Sequence, residues 1–142
     1  MGQETEKVVT TQVNWKEKHY EKEIASKKKT SVSIRFMVPM ILEKQMKPMT
    51  AAIFSIDRSY ALVLNRVGLY EVFWRHEANG IKIASDLAIP IRRSISLLEG
   101  DVDKETLSMF HGGITIQGLL AALHGMLRQC NQTPNARIEV VQ

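Results

Sequence analysis

Ile116, Leu119, Leu120, Leu123 and Leu127 recur at i, i+3, i+4, i+7 and i+11, the apolar stripe of an amphipathic helix that starts after Gly112-Gly113. A helix with one apolar face is stable only against a second layer, so the stripe requires a partner element elsewhere in the chain. Ser31 to Val38 offers one. Apolar Val32, Ile34 and Phe36 alternate there with Ser33 and Arg35, the period of a half-buried strand that Pro39 is expected to end. Ala51 to Ile56 reads as a second strand and Arg137 to Val141 as a terminal one, after Asn131 and Pro134 close the helix.

The segments between are less constrained. Met40, Met46 and Met49, with Lys44 and Lys47 between Pro39 and Pro48, read as a short connection or edge segment. The methionines are expected to fill gaps in the core, the alternative being a sticky binding face. Val63, Val67, Tyr70 and Trp74 fall at helical spacing, although Leu69 to Trp74 also suits a strand; we read Ser59 to His76 as helix. Asn79-Gly80 signals a turn, after which Ile81, Ile83 and Ala84 are expected to begin a strand that resumes at Leu87 to Ile91 around Pro90 and closes at Arg92-Arg93. Asp101 or Asp103 is placed to cap a short helix through Met109. Gly118 and Gly125 weaken the C-terminal helix by roughly 1 kcal/mol each relative to Ala. The expected fold class is α+β, with a mainly antiparallel sheet of four to six strands and two helices.

The chain has 142 residues, the commonest size for one domain, and 44% apolar residues. Residues 1–30 are mostly Lys, Glu, Thr and Gln and are expected to form a flexible charged arm, leaving 31–142 as a single globular domain. No apolar run approaches the eighteen or so residues of a membrane span. The N-terminus lacks a secretion signal's apolar stretch, and Glu6 stands where a myristoylation signal has Ser or Thr. Cys130 is the single cysteine, which rules out an intramolecular disulfide and a cysteine-based zinc cage and fits a reducing, cytoplasmic location.

Formal charge is +4, unevenly spread: residues 1–93 hold sixteen Lys/Arg against ten Asp/Glu, and residues 94–142 hold three against five. A positive front portion permits contact with phosphates. Lys27, Lys28, Lys29, Arg35, Arg92 and Arg93 are the candidate phosphate contacts, and Trp15, Tyr20 or Trp74 would stack on bases where exposed. The alternative reading of each cation is a solvated surface group. No Walker loop, dinucleotide fingerprint, serine elbow or zinc-helix motif is present. His19, His76, His111 and His124 never fall at i, i+4, so no metal or other cofactor is expected. A Cys130–His124 nucleophile pair would require the helix to end between the two residues. Glu99 to Glu105 superficially suggests a calcium loop but lacks the central Gly and the distal Glu.

The string Ser108-Met-Phe-His-Gly-Gly-Ile-Thr-Ile116, preceded by Ile95-Ser-Leu-Leu-Glu-Gly-Asp-Val-Asp-Lys-Glu-Thr-Leu107, resembles the central block of plant-virus cell-to-cell movement proteins, most closely the caulimovirus type. In that family an acidic segment and a Met/His-Gly strand are followed by Thr-Pro and an Ile/Val-rich strand. Thr133-Pro134 and Arg137-Ile-Glu-Val-Val141 occupy those places, so the resemblance covers about residues 90–142. It implies an antiparallel β core, sequence-independent binding of single-stranded nucleic acid, self-association and action at plasmodesmata. Residues 115–129 therefore carry two expectations, a helix from their own spacing and a strand from the resemblance. The functional expectation is a non-enzymatic, nucleic-acid-associated viral protein. The alternative is a structural self-assembly module, matrix-like or coat-like, acting through protein contacts as a homo-oligomer.

Overall fold

In the computed structural model, described over residues 31–142, apolar alternation builds a sheet and apolar stripes build the helices that cover it. Strand β1 (Val32–Leu42) pairs antiparallel with β2 (Gln45–Ile56) on one side and with β3 (Arg137–Val141) on the other, giving the order β2-β1-β3. Val32, Ile34 and Phe36 point into the core, as does Ile138 of β3. Phe36 meets Phe54 of β2 edge to face, with ring centroids 5.7 Å apart. Ser33, Arg35, Ile53, Ser55 and Glu139 occupy the opposite face, because side chains alternate along a strand.

Five helices follow β2. A single 3₁₀ turn (Arg58–Tyr60), capped by Asp57 through 2.8 Å and 2.6 Å hydrogen bonds from Ser59, leads into α1 (Ala61–Arg66) and α2 (Tyr70–Trp74). Gly68 sits between them at φ +85°, a conformation that needs glycine. After the Asn79-Gly80 turn come α3 (Ala84–Glu99), α4 (Lys104–Ser108) and α5 (Ile116–Gln132). Helices α3 and α5 pack on each other, and α5 also crosses β2 at Gly125, where an added Cβ would lie 3.3 Å from the Phe54 ring. That close approach explains a glycine inside a helix that propensity alone disfavours.

The mixed α+β class stands, with three strands and five helices among the described residues. Residues 81–93 depart from the strand expectation. Ala84, Leu87, Ala88, Ile91, Ser94, Ile95 and Leu98 are all buried, and their spacing is helical. Asp86 starts α3 by accepting from the backbone N–H groups of Lys82 and Ile83, each at 3.1 Å. Pro90 lies inside the helix, where it removes one backbone hydrogen bond without ending the element because the buried face outweighs that loss. What remains of the expected strand is one bridge, Ile83 to Arg137, and a 2.9 Å bond from Ile138 N–H to the Lys82 carbonyl. Residues 116–132 are helical, as their own spacing requires, with Leu119, Leu123, Met126 and Cys130 as the buried line. Pro39 likewise does not end β1, which runs three residues further.

Candidate functional site

Beyond Met37, β1 has no β3 residue beside it, so residues 38–50 form a two-stranded hairpin that leaves the body of the sheet. The register shift between Phe36 and Met37 places Ala52 opposite Phe36 and Thr50 opposite Met37, and this bulge at Ala51 re-aims the hairpin. Glu43 and Lys44 close it with φ of 52° and 66°, the backbone of a two-residue type I′ turn. Its register pairs Ile41 with Met46 and Pro39 with Pro48 on one face, and Leu42 with Gln45, Met40 with Lys47 and Val38 with Met49 on the other.

Apolar side chains populate both faces and solvent covers both. Ile41 is 71% exposed, Met46 64% and Met40 47%, and Leu42 and Met49 are exposed as well. The methionines expected in the core therefore lie outside it. The expectation that they fill gaps rests on methionine's flexibility, but among the described residues no second layer extends this far along the hairpin. Single exposed apolar residues are ordinary on protein surfaces, whereas a contiguous group on one projecting element marks an interaction site.

The two prolines also have a geometric consequence. A two-residue turn closes on a hydrogen-bonded pair, here Leu42–Gln45, and pairs alternate from there. Pro39–Pro48 then falls at a non-hydrogen-bonded pair, whose N–H positions point away from each other toward the two outer edges. Proline at both leaves the hairpin's own ladder intact and removes a donor from each edge. Addition of a further strand is thereby disfavoured, and contact through side chains is left open.

The candidate phosphate contacts do not form one patch. Lys27, Lys28 and Lys29, with Trp15 and Tyr20 and the expected N-terminal arm, lie outside the described residues. Arg35 stands on the open face of the sheet, 3.7 Å from Glu139, which also lies 3.7 Å from Arg137. Arg92 and Arg93 are exposed in the middle of α3, in the helical layer that packs on the other side of that sheet. They occupy a helix face instead of the expected strand end. Arg66 meets Glu105 at 2.7 Å and Arg75 meets Glu71 at 3.9 Å, so acids are interspersed with these cations. Trp74 is buried and stacks on Tyr70 with centroids 5.0 Å apart, which removes it from reach of a base.

Cys130 and His124 share an uninterrupted helix that runs to Gln132, so they face different directions. Cys130 is 2% exposed, and burial pushes its thiol up to about 11, the opposite of what a nucleophile needs. His124 instead approaches Glu99 of α3 at 3.7 Å. The acidic segment has structural partners. Asp103 caps α4 by accepting from Thr106 N–H at 2.9 Å, and hydrogen bonds from the Thr106 side chain and backbone hold its carboxyl below the ordinary value. Among the described residues, no three His, Cys, Asp or Glu side chains gather in a way that would hold a metal ion.

Sequence reasoning singled out the cations and read the hairpin stretch as a short connection or edge segment, with a sticky binding face only as the alternative for its methionines. The available signal was the run Met40-Ile-Leu-Glu-Lys-Gln-Met46 with prolines on either side, which has too few polar positions for a solvated loop. Comparison of the chain with protein-family models, curated proteins and solved structures found no match.

Proposed function

We propose that this protein is a non-enzymatic self-assembly module whose β1–β2 hairpin docks on a second copy of the chain. The observation that carries the reading is the projecting hairpin with Ile41, Met46 and Met40 in solvent. Fully burying a side chain of this size is worth about 1.5–3 kcal/mol, so Ile41 and Met46, which share one face, supply on the order of 5 kcal/mol, comparable to the lower end of the cost of association. Weak, concentration-dependent assembly follows. A second copy is the favoured occupant because the same chain carries a complementary acidic stretch: Glu99, Asp101, Asp103 and Glu105 against Lys104 alone, while the hairpin carries Lys44 and Lys47 against Glu43. Sedimentation velocity over about 1–100 μM, the range bracketing a micromolar constant, tests this. The mean mass rises with concentration for the wild-type chain and stays monomeric for I41D/M46D. A wild-type mass that stays at one chain throughout overturns it.

A second reading, sequence-independent binding of single-stranded nucleic acid by a movement-protein-like core, is favoured by the adjacent exposed Arg92 and Arg93 on α3. Self-association is common to both readings, since the movement-protein resemblance implies it, together with action at plasmodesmata. Binding to single-stranded RNA would then weaken steeply with salt and fall when Lys27, Lys28 and Lys29 become Ala. Salt-insensitive or undetectable binding counts against it. No helix among the described residues is long and apolar enough to cross a membrane.

A further inference from the structure

The hairpin needs a receiving surface that is both apolar and negative, and three surface grooves among the described residues differ in this respect. One, of about 290 Å³, is built from the hairpin's own strands (Met37, Val38, Pro39, Met46, Pro48) with Lys47 and Arg137, so its charge repels a second hairpin. Another, of about 430 Å³, sets Glu77 against Lys82 and Arg137. A third, of about 240 Å³, lies where α3 ends and α4 begins. Val67, Leu97, Leu98 and Val102 supply its apolar lining, and Asp101 and Asp103 supply carboxylates. Arg66 also lines this groove, but its guanidinium is engaged by Glu105 at 2.7 Å.

We infer that Ile41 and Met46 near the hairpin tip of one copy seat in the groove bounded by Leu97, Val102 and Asp101 of the next, with Lys44 of the turn opposite Asp101 and Asp103. This rests on the self-assembly reading and names the surface that receives the hairpin. Three features support the pairing. Leu97 is 56% exposed at the rim, an apolar side chain that a docked partner would cover. The groove is smaller than the roughly 300–1,000 Å³ of small-molecule sites, a size suited to one or two large side chains. Among the described residues, no hairpin residue lines it within its own chain.

Hairpin and groove are different surfaces of one molecule, which makes the contact heterologous. Each docked pair keeps one free hairpin and one free groove, so assembly continues into an open chain or closes into a ring. The lysine–aspartate component is screened by salt while the apolar component persists, so moderate salt weakens assembly without abolishing it.

Complementation between two variants of the full chain separates this arrangement from others. I41D/M46D lacks a competent hairpin and L97K/D101K lacks a competent groove; all four positions are exposed, and circular dichroism verifies that each variant folds. The expected result in sedimentation velocity is that each variant alone stays at 16.1 kDa, while an equimolar mixture forms a species of twice that mass and nothing larger. In that mixture, one intact hairpin meets one intact groove and both growing ends are blocked. A mixture that stays monomeric while the wild-type chain assembles overturns the head-to-tail pairing and leaves self-assembly standing by another contact, such as hairpin against hairpin. So does unaltered assembly of L97K/D101K alone. Assembly of I41D/M46D alone overturns the role of the hairpin itself, and with it the proposed function.

Discussion

Ser94 is fully buried in α3, and its hydroxyl lies 2.9 Å from both the Val67 carbonyl and the Pro90 carbonyl. The first contact ties α3 to the end of α1. The second lies within the helix turn that contains the proline. Ser94→Ala strands a buried carbonyl without a donor and is expected to cost about 1–3 kcal/mol, read as a lower urea midpoint with an unchanged slope. Cys130 makes a different kind of prediction. Its folded-state thiol holds its proton up to about 11 against an ordinary 9.0, so the native state binds more protons than the unfolded state between those values. The corresponding stability is fully present below pH 9 and declines as pH rises toward 11. Comparison with Cys130→Ala, which lacks the titrating group, isolates that decline, and native Cys130 should resist thiol reagents until the chain unfolds. Neither contact is legible in the sequence: a serine and a cysteine on apolar stripes become interpretable only when their neighbours on other elements are known.

The hairpin turn places two ordinary residues, Glu43 and Lys44, in left-handed backbone conformations that favour Asn and Gly. Replacing them with Asn-Gly should order the hairpin by about 1 kcal/mol, seen as several-fold slower hydrogen exchange of amides flanking the turn. Elements whose burial matched a single period were legible beforehand. Alternation identified β1 and β3, and the stripe from Ile116 identified α5. Helix α3 was not recognised because Pro90 and the Ile81/Ile83 alternation imitate a strand edge. Its helical pattern of buried positions emerges only when Ala84, Ala88 and Ser94 are counted as core, and small residues carry little hydropathy signal. The methionines expected to fill gaps in the core lie outside it for a related reason, since a flexible apolar side chain fills a gap only where another element reaches it.

At the scale of the whole molecule, the helices lie on one face of a three-stranded sheet and the hairpin extends past the cover they provide. Because its side chains contribute little to the core, I41D/M46D should change the melting temperature by no more than about 2 °C while removing assembly, the ordinary limit for surface substitutions in a domain of this size. A large drop would mean that the hairpin packs against the body, and its exposed apolar residues would lose their significance as a docking surface. The candidate phosphate contacts illustrate the same scale. Arg35 and the Arg92–Arg93 pair belong to one basic stretch of sequence, yet alternation directs the first away from the helical layer that carries the others.

By itself the chain's residue order determined its periods: which segments alternate, which repeat every three to four residues, and where an aspartate such as Asp103 stops the backbone and starts a helix. These are local consequences of backbone geometry and hydrogen bonding. Only the tertiary structure decided which apolar faces find a partner, because burial depends on what other elements reach. The distribution of cations about the sheet, the exposure of Ile41, Met40 and Met46, and the acidic groove beside Leu97 all follow from that reach, and on them the proposed function rests.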